Sequence, residues 1–223
     1  MVNNMPKIYP VIHYKDDITT LDEALLASEV GADGIFLISH IGHNECLIPL
    51  AVKIKQLHGF RVGLNFLGDD VLSTANIVKE HGLDMVWGDY CGVSSSGLND
   101  KGRKLKVWAD NNPNIDVFAS VAFKYQDIET DPPLAARHAL MAGFIPTTSG
   151  SGTGYAPSIE KISTMSACTD GILAVASGMN CENVQKFSPY LSSILVATGV
   201  SIDEYHFDYE KLYRFIRLSR LKQ

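Results

Sequence analysis

Nothing in this sequence concentrates positive charge. Its 19 Lys and Arg residues are outnumbered by 25 Asp and Glu, for a net charge of −6. A nucleic-acid surface needs Lys and Arg gathered on one face, so no nucleic-acid partner is expected. The one modest cluster, Lys101, Arg103, Lys104 and Lys106, falls on a predicted helix and reads as a solvated face. Cysteine is sparse as well. Cys46, Cys91, Cys168 and Cys181 lie far apart and form no C-x-x-C pair, which leaves no basis for a disulfide framework or a zinc site. No apolar run approaches the roughly 20 residues that a membrane helix requires, so no membrane partner is expected either. Residues Met1 to Lys7 show no basic segment followed by an apolar stretch, hence no secretory signal. A reducing, cytosolic location is the default expectation.

What the chain does have is alternation. Its 223 residues, 46% apolar and 20% charged, suit one compact domain spanning 1–223. Short β-branched or apolar runs are followed, again and again, by segments with helical spacing. Ile8 to His13 is the first such strand, and a helix from Thr20 to Val30 follows, with Thr20 and Glu23 at capping-box spacing. Further strands are expected at Gly34–Ile38, Arg61–Phe66, Asp84–Trp87, Asp116–Phe123, Phe144–Thr147, Gly171–Ala176 and Ser193–Ala197. Helices are expected between them at Asn44–Leu57, up to Gly82, Asp100–Asn111, Pro133–Ala142, Pro157–Met165 and Cys181–Phe187, with Asp208–Leu221 last. Each crossover is long enough to hold a helix and return the chain in parallel. Eight units with strand starts recurring every ~25 to 30 residues predict an α/β fold, a single (β/α)₈ TIM barrel, over an open doubly wound sheet.

In such a barrel the loops after the strands build the site. Polar residues gather there. His13, Asn65, Asp89 and Lys124 are the candidate catalytic set. Asp89 can exchange a proton or stabilise a cationic sugar transition state, and the competing reading is a turn cap beside Gly88. Lys124 can neutralise a phosphate or a developing anion, or simply extend to water. Asn65 would orient a substrate hydroxyl or amide, and His13 is as readily a structural histidine as a catalytic one. The loop Thr147 to Gly154 offers Ser149, Ser151, Gly152 and Thr153 for closing over a polar ligand, with a mobile surface loop as the alternative. Ser177-Gly178 and Thr198-Gly199 follow the last two strands, where barrels commonly bind phosphate, and a short helix after Gly199 would aim its amino end there. Their bland reading is that the glycines permit tight turns. His40, His43 and Glu45 lack a third clear ligand pattern, so no metal and no cofactor is expected.

Several of these stretches together resemble the BtpA/SgcQ family of phosphate-binding (β/α)₈ barrels. They are Gly31-Ala32-Asp33-Gly34, Val62 to Leu67, Val117 to Lys124, Ser149 to Gly154 and Ser177 to Val184. The resemblance covers most of the chain in short motifs. It departs from the family where an acidic residue after the second strand is replaced by Ser39-His40, and at Trp87-Gly88-Asp89. What it implies is the barrel and its phosphate site. Members are linked to photosystem assembly and to sugar or nucleoside metabolism, without a defined reaction.

The leading expectation is therefore an enzyme acting on a ribosyl, phosphoribosyl or nucleoside-type ligand at its N-glycosidic carbon. A phosphosugar isomerase or aldolase using Lys124 is the second reading, and a non-catalytic assembly factor of the BtpA type the third. A homo-oligomer formed through apolar helix faces is also expected.

Overall fold

The computed structural model describes residues 5–221. The stretch 1–7 considered for a secretory signal thus lies partly outside the described residues. In chain order the elements are β1 (Lys7–His13), α1 (Asp17–Glu29), β2 (Gly34–Ile38), α2 (Asn44–His58), β3 (Arg61–Asn65), α3 (Val71–Glu80) and β4 (Met85–Gly88). There follow β5 (Val93–Ser94), β6 (Gly97–Leu98), α4 (Asp100–Asp110), β7 (Asp116–Ser120), α5 (Pro132–Met141), β8 (Ile145–Thr148) and α6 (Ile159–Cys168). The last are β9 (Ala174–Ala176), α7 (Val184–Phe187), β10 (Ser193–Val196) and α8 (Tyr209–Ser219).

Eight parallel strands close into a barrel in the order β1-β10-β9-β8-β7-β4-β3-β2, while β5 and β6 form a separate antiparallel hairpin. Closure is made by Lys7, Ile8, Tyr9 and Pro10 of β1 opposite Ser193, Ile194, Leu195 and Val196 of β10. Alternation along each strand splits the core in two. Residues such as Ile8, Ile35, Leu64 and Ile194 point outward and pack with Leu47, Ile162, Leu212 and Phe215 of the helices. Tyr9, Phe36, Met85, Trp87 and Phe118 point inward and fill the barrel. The rings of Phe36 and Phe118 meet edge to face at 5.2 Å, and Tyr9 abuts both at 5.9 and 5.8 Å. Gly63 makes this possible, because a Cβ there would lie 2.4 Å from the Phe36 ring. No helix among the described residues is long and apolar enough to cross a membrane.

Local chemistry differs from the sequence expectation in instructive places. The cap of α1 is Asp16, whose carboxylate accepts from the Thr19 amide at 2.8 Å, so the helix begins before Thr20. Glu23 is not a capping-box partner: it is buried and accepts from the Phe207 amide at 2.7 Å, tying α1 to the segment ahead of α8. β7 stops at Ser120 instead of Phe123, because Ala122 takes a left-handed φ of 47° that ends the ladder. The connection between β4 and α4 contains the β5–β6 hairpin. β9 begins at Ala174 rather than Gly171, and α7 begins at Val184 rather than Cys181. No helix follows Gly199: it sits inside a single 3-10 turn, Thr198–Val200, and the next helix is α8.

The amino ends of the strands are held by acids. Asp33 accepts from the Ile8 amide at 2.8 Å and Asp84 from the Val62 amide at 2.9 Å. Each also meets a cation: Arg220 reaches Asp33 at 2.9 Å, and Lys55 reaches Asp84 at 2.6 Å. Arg61 pairs with Asp116 in the same layer. Conserving the backbone bonds of a closed ring requires these acceptors, since the entry amides have no further strand neighbour. Asp84→Ala leaves the Val62 amide without its acceptor and the Lys55 ammonium with the Gly82 carbonyl alone. The expected cost is about 1–3 kcal/mol, read from the urea midpoint, with ligand binding at the opposite rim unchanged.

Candidate active site

All eight barrel strands deliver their carboxyl ends to one rim, and a cavity of about 270 Å³ opens there. His13 closes β1, Asn65 closes β3, and Asp89 follows β4, each on the inward-facing register. Lys124 comes from the loop after β7 rather than from the strand itself. These four side chains line the same cavity, together with Thr153, Ser177, Gly178, Thr198 and Gly199. The grouping expected from sequence is thus largely present in space.

Three expected ligand contacts fall elsewhere. Ser149 is buried: its hydroxyl accepts from the Lys124 amide at 2.7 Å and donates to the Gly150 carbonyl at 2.9 Å. Ser151 is exposed and opens on a different surface depression. Gly152 accepts the Ser177 hydroxyl through its carbonyl at 3.0 Å, which joins the loop after β8 to the loop after β9. None of the three lines the central cavity. Glycine and serine content marked the right loop, but the hydroxyls are used to hold the loop rather than to face the rim.

The electrostatics of the cavity are those of a dry site. Burial pushes the Asp89 carboxyl above the usual range, against the opposing influence of Asn65, Lys124 and His40. Burial lowers the Lys124 ammonium, against the charges of Tyr125 and Asp89. Asp89 and Lys124 sense each other but form no ion pair, and Lys124 Nζ instead donates to Thr153 Oγ1 at 3.1 Å. His13 is lowered to about 4 by burial, with His40 adding to the shift and Glu204 opposing it, so its ring is neutral at physiological pH. The His13 and His40 rings are 4.8 Å apart, edge to face. Asn65 is 1% exposed; it approaches Asp89, yet its Nδ2 group makes no hydrogen bond of ordinary geometry. His13 Nδ1 is likewise unpartnered. Buried donors and acceptors left open cost stability unless a ligand or water meets them. Both atoms belong to residues that line the cavity, where they are free to meet a polar partner.

The opposite wall is backbone. Among the described residues, the amides of Gly178, Thr198 and Gly199 donate to no protein acceptor. Packing requires both glycines: a Cβ at Gly178, where φ is +72°, would lie 2.1 Å from Ala156 N, and one at Gly199 would lie 2.0 Å from Met179 O. The close approach of these backbones explains the glycines without a ligand. It also leaves three amides without a protein acceptor in segments that line the cavity, an arrangement that suits a phosphate group. The Thr198–Val200 turn has only three residues, so an anion here would be held by individual amides and not by a helix dipole.

Residues that sequence reasoning passed over complete the site. Trp87 is buried, forms part of the cavity wall, and donates from Nε1 to Ser120 Oγ at 3.0 Å. Gln126 donates to the Asp89 and Ser120 carbonyls and accepts from the Phe123 amide at 3.1 Å, coupling the loops that carry Asp89 and Lys124. Lys161, on α6, reaches under the rim to donate to the Ala122 and Ser149 carbonyls at 2.6 and 2.8 Å, and burial lowers it to about 8. A Trp in a strand that also ends in Asp was the one available signal. For Gln126 and Lys161 the local sequence carried none. His43, Glu45 and Cys46 offer ligand atoms within 4.8 Å of one another, but His43 and Glu45 are exposed, and the group sits on the first turn of α2. The positive end of a helix disfavours a cation there, and no metal is assigned.

Neither family models nor curated proteins give a match to this chain. Solved structures do. Phosphoribosyl anthranilate isomerase from Thermus thermophilus matches with a TM-score of 0.66 at 16% identity, over 95% of this chain and 97% of that one. N-(5'-phosphoribosyl)anthranilate isomerase from Pyrococcus furiosus gives 0.63 at 15% identity, over 96% and 98%. A 4-hydroxy-2-oxoglutarate and 2-dehydro-3-deoxyphosphogluconate aldolase from TTHB1 gives 0.63 at 11% identity, over 96% and 92%. At these identities the likeness establishes the (β/α)₈ barrel.

Proposed function

We propose that this chain is an enzyme that moves a proton beside the carbonyl of a phosphosugar, in isomerase- or aldolase-type chemistry. One observation carries the reading. Asp89 and Lys124 share a desolvated cavity without neutralising each other, each shifted toward the neutral pH range. A carboxylate of raised pKa is a better base toward a weakly acidic C–H, and an ammonium nearby stabilises the enolate that forms. In this scheme the amides of Gly178, Thr198 and Gly199 hold the phosphate, and Asn65 and the neutral His13 ring orient the hydroxyls.

The names of the structural neighbours, a phosphoribosyl isomerase and an aldolase, favour the same reaction class. The motif resemblance to BtpA/SgcQ barrels favours the same phosphate wall. Cleavage at an N-glycosidic carbon has less support, because Lys124 in the same chamber opposes a cationic transition state. A purely structural assembly role leaves two unpartnered buried atoms on the cavity without a purpose.

The test is exchange of solvent deuterium into the carbon beside the carbonyl of ribose 5-phosphate, ribulose 5-phosphate and related phosphosugars, followed by NMR. Wild-type protein is expected to catalyse exchange on at least one of them, and exchange on none sinks the proposal. Asp89→Asn is expected to lower the rate ~10²–10⁴-fold. The same variant is expected to be more stable. A carboxyl whose folded pKa is raised favours the folded state below its unfolded pKa and loses that contribution as pH rises through the folded value. Ionised Asp89 is thus a burden at neutral pH. Asparagine removes it, and the gain of ~0.5–2 kcal/mol at pH 7 shrinks as the pH approaches 4.

The role of Lys124 separates isomerase from Schiff-base aldolase chemistry. As a cation, it gives a bell-shaped kcat/KM profile whose acid limb lies above the ordinary Asp value and whose alkaline limb lies below the ordinary Lys value. Lys124→Arg then retains measurable activity and Lys124→Ala does not. Borohydride trapping of a phosphosugar adduct on Lys124, with loss of activity in the Arg variant, replaces the electrostatic role by a covalent one.

A further inference from the structure

Two neighbouring helices present complementary faces to solvent. β1 and β10 are adjacent in the barrel, so α1 and α8 lie side by side on its outside, both running from the rim toward the base. Along α1, Ile18, Asp22, Leu25 and Glu29 are exposed and share one stripe, apolar and acidic by turns. Along α8, Tyr209, Tyr213 and Arg217 form an exposed column. The two tyrosine rings stack at 6.4 Å, and the Arg217 guanidinium lies 5.6 Å from the second ring. Among the described residues, no other pair of neighbouring helices exposes as many large apolar side chains.

The charges on these faces are left open. Among the described residues, the side chains of Asp22, Glu29 and Arg214 form no hydrogen bond or ion pair, and Arg217 donates only to the Tyr213 hydroxyl at 2.9 Å. Glu29 also stands in the last turn of α1, where the helix dipole disfavours an acid. Bonds between the two helices set their register. The Phe207 amide ahead of α8 meets Glu23 of α1, and Arg220 just beyond α8 donates to the Gly31 carbonyl at 3.1 Å. Tyr213 is then about level with Leu25, and Arg217 with Glu29.

We infer that this double face binds a second copy of the chain, about a two-fold axis parallel to the two helices. Such an axis exchanges left for right and keeps rim and base in place, so α8 of each copy lies on α1 of the other. Tyr213 covers the partner's Leu25 and Arg217 meets the partner's Glu29, with Arg214 adjoining, and each contact occurs twice. Tyrosine and arginine dominate the positions that hold protein interfaces together, and a column already stacked loses little freedom on docking. None of these residues lines the rim cavity, so docking here is independent of the phosphosugar reading.

Sedimentation equilibrium of the full chain tests this. The 24.4-kDa chain is expected to give twice that mass, with an association that weakens as salt rises. A monomer at every concentration up to about 0.1 mM overturns the inference. Glu29→Arg alone and Arg217→Glu alone each set like charges together twice, and each is expected to weaken self-association at least ~tenfold. Both positions are exposed, so both variants keep the fold. Mixed in equal amounts, the two variants rebuild both ion pairs, and the mixture is expected to dimerise like the wild type. A dimer indifferent to either reversal, or a mixture no more dimeric than its components, places the interface elsewhere and overturns the inference.

Discussion

Closure of β1 onto β10 is the contact on which the rest depends. Once Lys7 to Pro10 pair with Ser193 to Val196, eight strands run the same way around a ring. Every carboxyl end then reaches the same rim, and alternation along the strands decides which side chains look inward. His13 and Asn65 end β1 and β3, Asp89 follows β4, and the three meet for this reason alone. Below them the same alternation stacks Tyr9, Phe36 and Phe118 into a solid plug. The barrel is therefore filled at its base, and its cavity opens at the rim.

Much of this was legible in the sequence because it depends on period and punctuation. Each of the eight barrel strands overlaps an apolar run of the sequence, and Gly59, free to take a left-handed φ, closes α2. Asp89, Lys124, Thr153, Ser177 and Thr198 line one cavity because each follows a barrel strand, a position that the sequence displays. What could not be read was the use to which each polar atom is put. Thr20 and Glu23 have the spacing of a capping box, yet Asp16 lies closer to the start of the helix, and the Phe207 amide, 184 residues away, claims Glu23. Ser149 belongs to a loop whose composition suggests ligand binding, but Lys124's own amide takes its hydroxyl. Long-range partners decide such cases, and a single strand of text does not display them.

The charge balance at the rim follows from the same division between packed base and open top. Asp89 and Lys124 are shifted mainly by burial rather than by each other. Two opposite charges in direct contact would hold their ordinary ionised states more firmly and would leave no room between them. Their separation therefore requires that each be held from behind. Asp89 is held through its carbonyl by Gln126, which also grips Ser120 and Phe123.

Lys124 poses the harder problem, because its backbone lies between two residues near left-handed turns, Ala122 at φ 47° and Tyr125 at φ 65°. Regular secondary structure does not hold such a segment, and non-glycine residues adopt these angles at a cost. The restraint comes from side chains. Thr148 Oγ1 and Lys161 Nζ both donate to the Ala122 carbonyl, and Lys161 also fixes Ser149, whose hydroxyl receives the Lys124 amide. A half-buried ammonium given to two carbonyls braces the loop. The bracing fixes the point at which the Lys124 backbone leaves the rim after β7.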